Sequence, residues 1–87
     1  MPQVADEKIE TSLAAINQYM QSGEWVKAEA IARTLISRAP NEPRAHEMLG
    51  QVLIEKAGQI ERAGDAGTAN NLKQLAWRSY RTAVELD

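Results

Sequence analysis

Apolar residues recur along this chain at steps of three and four, and nowhere alternate with a period of two. In the first run, about 6 to 22, they are Ile9, Leu13, Ile16 and Met20. In the second, about 24 to 38, they are Ala28, Ile31, Ala32, Leu35 and Ile36. A third run starts near Pro43 and carries Ala45, Met48, Leu49, Val52, Leu53, Ala57 and Ile60. The fourth, from about 68 to the end, carries Leu72, Leu75, Ala76, Tyr80 and Ala83. A helix advances about 3.6 residues per turn, so this spacing gathers each set on one face.

The breaks between the runs have their own chemistry. Gly23, in Gln21-Ser22-Gly23-Glu24, is a helix stop. Pro40 and Pro43 end one helix and let another begin. Gly64 and Gly67 mark the clearest loop, Ala63-Gly64-Asp65-Ala66-Gly67-Thr68. The expectation is an all-α domain over 1–87, with four antiparallel helices joined by short loops.

A fixed period underlies the pattern. Ser12, Ala15, Ile16 and Tyr19 stand 34 residues before His46, Leu49, Gly50 and Leu53. The first half holds Tyr19, Gly23, Trp25, Ala28 and Pro40. The second holds His46-x2-Leu49-Gly50-x2-Leu53 and Ala76-x3-Tyr80-x2-Ala83. In period and residues the chain resembles the tetratricopeptide repeat (TPR) family. That family's pattern is a large residue, Leu-Gly and an aromatic in one helix, then an Ala and an aromatic in the next, then a Pro.

The resemblance implies a fragment of a TPR-like α-solenoid, helix-turn-helix repeats with repeat one at about 6–40 and repeat two at about 43–87. Small residues such as Gly50, Ala28 and Ala76 would let backbones approach, and Tyr19, Trp25 and Tyr80 would fill the space beside them. Ile16 stands where Gly is usual and Ala32 where an aromatic is usual, which implies altered spacing in the first hairpin. Ala28 and Ala76 are 48 residues apart, so the second hairpin carries 14 extra residues, around 56–70. Shared between two helices, they add about two turns to each. The expectation is a longer helical hairpin with its tip at Gly64 and Gly67; the alternative is an unstructured loop.

Composition narrows the function. Of 87 residues, 44% are hydrophobic and 25% charged, as in ordinary globular proteins. The net charge of -2, with ten basic residues scattered among twelve acidic ones, offers no basic patch for nucleic acid. The chain has no cysteine, so disulfides, thiolate chemistry and the usual structural zinc sites are excluded. Residues 1–7 do not read as a signal peptide, and no apolar stretch is long enough to span a membrane. A soluble, cytoplasmic setting is the expectation, although the compartment is not fixed.

No catalytic constellation emerges. The single histidine, His46, sits where the family places a large packing residue, and Glu42 and Glu47 beside it read as a solvated helix start. Ser12, Ser22, Ser37 and Ser79 have no His nearby in sequence. Gly64-x2-Gly67 lacks the following Lys of a phosphate loop. Glu55, Glu61 and Asp65 with Lys56 and Arg62 read as a charged surface. The expectation is no enzyme, no cofactor and no metal site.

What the resemblance implies instead is a concave groove lined by the first helix of each hairpin, binding a peptide or protein. By spacing, its residues are Glu10, Leu13, Asn17, Met20 and Gln21, then Arg44, Glu47, Met48, Gln51, Ile54 and Glu55. The family's carboxylate clamp is absent: Asn17 fits it, but Leu13 stands where Lys is wanted and Met48 where a second Asn is wanted. The fourth helix adds Trp77 and Val84 to Tyr80, an expected exposed edge for a further repeat or a second copy. The alternative for Trp77 is burial within the hairpin. The family's next Pro would follow Asp87, so further repeats or another domain are expected beyond it. Two rival roles follow: part of a longer array serving assembly or self-association, or an accessory domain of a larger enzyme.

Overall fold

The structure, a computed structural model, describes residues 6–87. The leader reading of residues 1–7 falls mostly on 1–5, outside the described residues. Four helices follow one another: α1 (Asp6–Gln21), α2 (Trp25–Arg38), α3 (Pro43–Arg62) and α4 (Ala66–Leu86). There is no strand among the described residues.

Each boundary has a local cause. After α1, Gly23 takes a φ of 77° and the N–H of Glu24 reaches back to the Tyr19 carbonyl at 2.8 Å. After α3, Gly64 takes a φ of 99° and the N–H of Asp65 reaches the Ile60 carbonyl at 3.1 Å. Only glycine reaches that left-handed backbone without a Cβ penalty, which is why these two positions stop their helices. Helix α3 opens with Pro43, and Glu42 caps it by accepting the Arg44 N–H at 3.1 Å. Helix α4 is capped by Asp65, whose carboxylate accepts the Thr68 N–H at 3.1 Å and its hydroxyl at 2.7 Å.

The segment 56–70 is therefore helical on both sides of a turn at 63–65, and the unstructured-loop alternative is excluded. Gly67, expected at the tip, lies instead in the first turn of α4, because the Asp65 cap starts that helix earlier than Thr68.

Consecutive helices are antiparallel. Lys8 and Ser12 of α1 share a surface depression with Thr34 and Arg38 of α2. Glu29 of α2 pairs with Lys56 of α3, and Glu61 of α3 with Lys73 of α4. Helices α1 and α3 lie side by side in the same direction, joined by Glu10 and Arg44. Among the described helices, the backbone of α4 neighbours that of α3 alone. The short dimension of the molecule is 17 Å. Packed helix axes lie about 8–10 Å apart, so this is a slab two helices thick, and every helix keeps a face to solvent.

Small side chains make the contacts between helices close. Ala28, Ala32, Ala45, Ala57, Ala69 and Ala76 are fully buried, and Gly50 is buried too. The main core joins Ile16, Ala28, Ala32, Leu49, Val52, Leu53 and Ala76, with Tyr19, Met20, Met48 and Tyr80 packed against it. A second cluster, Ile9, Leu35, Ala39 and Ala45, lies under Leu13 and Ile36.

The two positions at which the sequence departs from the pattern it resembles, 16 and 32, are both buried. In the first hairpin the large residue, Ile16, is on α1 and the small one, Ala32, on α2; both are fully buried in one cluster. In the second hairpin the small residue, Gly50, is on α3 and the large one, Tyr80, on α4, with the ring against the glycine. Interiors are packed at crystal-like density, so a change of volume at any of these positions is felt.

Candidate functional site: the cleft between α1 and α3

Four residues of α1 (Glu10, Leu13, Ala14 and Asn17) and four of α3 (Arg44, Glu47, Met48 and Gln51) line an open cleft of about 360 Å³. Positions 10, 13, 14 and 17 share one helix face, as do 44, 47, 48 and 51. The lining residues are matched in number at a separation of 34, 10 with 44, 13 with 47, 14 with 48 and 17 with 51, and the Glu10–Arg44 ion pair joins one such pair across the cleft.

Its floor is apolar. Leu13 is half-buried over the second cluster, and Met48 is half-buried over the main core. Ala14, on the α1 side, is too small to close the space. Farther along, Asn17 is exposed and Gln51 half-buried. Both are amides that can donate and accept hydrogen bonds at once.

The N-terminal end of the cleft is closed by ions. The Arg44 guanidinium donates through Nη1 to Glu10 at 2.6 Å, and through Nε and Nη2 to the two oxygens of Glu42 at 3.0 and 2.9 Å. The hydrogen bonds to Glu42, then to Glu10, hold its pKa above the ordinary arginine value. Reciprocally, Arg44 holds the Glu42 carboxyl below the usual carboxylate range. The bidentate edge of the guanidinium is thus occupied by Glu42, and Arg44 offers no fork to an incoming carboxylate. Glu10 and Glu47 leave the rim mildly acidic.

Of the expected groove residues, Glu10, Leu13, Asn17, Arg44, Glu47, Met48 and Gln51 come together here, and Gln21, the last residue of α1, does not. Met20, Ile54 and Glu55 are not part of the lining. Helix α1 ends one residue past Met20, whose side chain packs on the main core. Ile54 and Glu55 remain on the exposed surface of α3. Ala14 was missed by sequence reasoning. Its signal was there, a small residue 34 positions before Met48.

No protein-family model matches the chain, and neither a curated protein nor a solved structure matches it.

The expected edge of α4 is split. Trp77 is 73% exposed and Val84 76% exposed, so Trp77 is not inside the hairpin. Tyr80 is a correction: it is half-buried, because the absent side chain of Gly50 leaves room for its ring. His46 is half-buried with Nε2 at 2.8 Å from the Pro40 carbonyl. A carbonyl only accepts, so Nε2 carries the proton and donates, tying the start of α3 to the preceding turn. Three of the residues expected as plain charged surface have partners: Lys56 binds Glu29, Glu61 binds Lys73, and Asp65 caps α4. Among the described residues, no helix is long and apolar enough to cross a membrane.

Proposed function

We propose that the chain is a TPR-like interaction module that holds a short segment of another protein in the α1–α3 cleft and catalyses nothing itself. The observation that supports this most is the make-up of the lining: its four α1 and four α3 residues match at a separation of 34, and Glu10 and Arg44, one such match, are joined across the cleft. A repeat that places like positions side by side yields an extended surface of this kind.

The chemistry of the lining indicates the ligand class. From Glu10 to Asn17 the cleft spans seven helical steps, about 10 Å, which accommodates roughly three extended residues. The floor of Leu13, Ala14 and Met48 suits one apolar side chain. The thioether of Met48 adapts to different shapes. Asn17 and Gln51 can bond the ligand's backbone, and Glu10 and Glu47 favour a neutral or basic flank. A terminal carboxylate is disfavoured, with Leu13 and Met48 in place of clamp residues and Arg44 already held.

The test is selection of peptides from a random displayed library against the chain, followed by titration of the selected peptides into variants. Asn17→Arg and Ala14→Gln change exposed helix positions, so circular dichroism should be unchanged. Both are expected to weaken binding at least tenfold. Peptides that bind both variants as tightly as the parent chain would place their site elsewhere.

A further inference from the structure

The acidity of the molecule is gathered beside the α1–α3 cleft. Along α3, Glu47, Gln51 and Glu55 follow one another at steps of four, on one stripe that leaves the cleft toward the far end of the helix. Glu47 and Glu55 are exposed, and neither has an ion-pair partner among the described residues. Both carboxylates act on the Tyr80 hydroxyl, so they flank the same stretch of surface. Arg44, the one cation among the described lining residues, is already held by Glu10 and Glu42. Four carboxylates (Glu10, Glu42, Glu47 and Glu55) against one guanidinium give this surface a formal charge of -3. The whole chain carries -2, so everything else sums to +1.

We propose that the segment held in the cleft is basic: an apolar side chain over Leu13, Ala14 and Met48, a lysine or arginine beside it on Glu47, and a second one three or four residues farther on, on Glu55. This rests on the cleft being the binding site, and adds the sign and spacing of the ligand's charges. The spacing follows from helix geometry. Glu47 and Glu55 are eight steps apart, about 12 Å, and an extended chain covers about 3.3 Å per residue.

Charge complementarity selects this occupant. An acidic segment would meet carboxylates with no free cation to receive it. A neutral segment would gain the apolar floor and the two amides, but nothing from Glu47 and Glu55. A metal ion is no rival, since carboxylates about 12 Å apart along a helix cannot share one, and no cluster able to hold a metal occurs among the described residues. Exposed ion pairs are individually weak, so the charges select among ligands and speed their capture more than they tighten the complex.

The experiment uses three displayed peptide libraries, identical except that the two charged positions are drawn from Lys and Arg, from Asp and Glu, or from Asn and Gln. Each is selected against the full chain. Binders are expected from the basic library, and they should be lost in Ala14→Gln, which fills the cleft without changing its charge. Their affinity should fall as salt is raised. Glu47→Gln and Glu55→Gln, both at exposed positions, should each weaken them about threefold. The double variant Glu47→Lys, Glu55→Lys should turn the preference to the acidic library. Binders drawn equally from the neutral or acidic library, yet lost in Ala14→Gln, would overturn the charge assignment and leave the cleft reading standing. So would basic binders that need the cleft but are unmoved by the changes at Glu47 and Glu55. Basic binders indifferent to Ala14→Gln, or no binder from any library, would overturn both.

Discussion

The ring of Tyr80 lies so close to Gly50 that a methyl group added to the glycine would come within 2.9 Å of two ring carbons, Cε1 and Cζ. Burial, then the carboxylates of Glu47 and Glu55, hold the Tyr80 hydroxyl above its ordinary pKa, so the ring stays neutral well past physiological pH. Two helices approach here because one of them contributes no side chain. Gly50→Ala gains roughly 1 kcal/mol of helix propensity. It loses about 1–3 kcal/mol to overpacking, so the net expectation is destabilisation in urea melts. In a Tyr80→Ala background the overpacking vanishes and the same substitution should become stabilising by up to about 1 kcal/mol. That reversal of sign is the signature of direct contact.

Ile16 has no exposed surface and shares the main core with Ala28, Ala32 and Leu53. Ile16→Ala should cost about 2–5 kcal/mol, a large part of the stability of so short a chain, whereas Ile16→Val should cost only about 0.5–1.5 kcal/mol. Ile16→Gly removes the whole side chain and adds backbone freedom in the middle of α1, so it should be worse than Ile16→Ala. Thermal melts of the three variants check the order.

The ion pair between α2 and α3 sets the expected response to acid. Burial pulls the Glu29 carboxyl upward, but hydrogen bonds from Lys56 and Arg33 together outweigh it and hold the group below its ordinary value. A depressed carboxylate stabilises the fold above the unfolded-state pKa, about 4.5, and that contribution fades as pH falls through the lower folded value. The melting temperature should therefore be flat near neutrality and drop below about pH 4.5, with Glu42, held down by Arg44, acting in the same direction. Glu29→Gln should be less stable at pH 7 and should lose less on acidification. Thermal melts across a pH series measure both.

The hairpin tip offers a backbone test. Gly64 has open space around it, so a methyl group there meets nothing, but its φ of 99° disfavours any L side chain. Gly64→Ala should cost about 1–2 kcal/mol from backbone strain alone. Gly67→Ala, within the first turn of α4, should be neutral or slightly stabilising. Urea melts of the two variants separate a left-handed turn residue from an ordinary helical one.

Much of this fold is legible in the sequence, for a local reason. Helix faces follow from spacing, and helix ends follow from Gly23, Pro43 and Gly64, each acting within a few residues of itself. The lining of the cleft follows as well, since a period of 34 matches Glu10 with Arg44 and Asn17 with Gln51. What the sequence does not reveal depends on neighbours distant along the chain. Helix phase puts Tyr80 rather than Trp77 on the side of Ala76 and Ala83, but how deeply its ring can sit depends on the bare backbone of Gly50, 30 residues away. Met20 has the spacing of a groove residue, yet α1 ends beside it and leaves the core as its nearest apolar surface. Lys56 looks like ordinary charged surface until α2 brings Glu29 to it.

The most direct test of the central claim is a backbone amide shift map of the isotopically labelled chain during titration with a library-selected peptide. Saturable shifts concentrated on Leu13, Ala14, Asn17, Met48 and Gln51 are expected, with α2 and the outer face of α4 left still. Shifts clustered on α2 or on Trp77 and Val84, with the α1–α3 cleft silent, would contradict it.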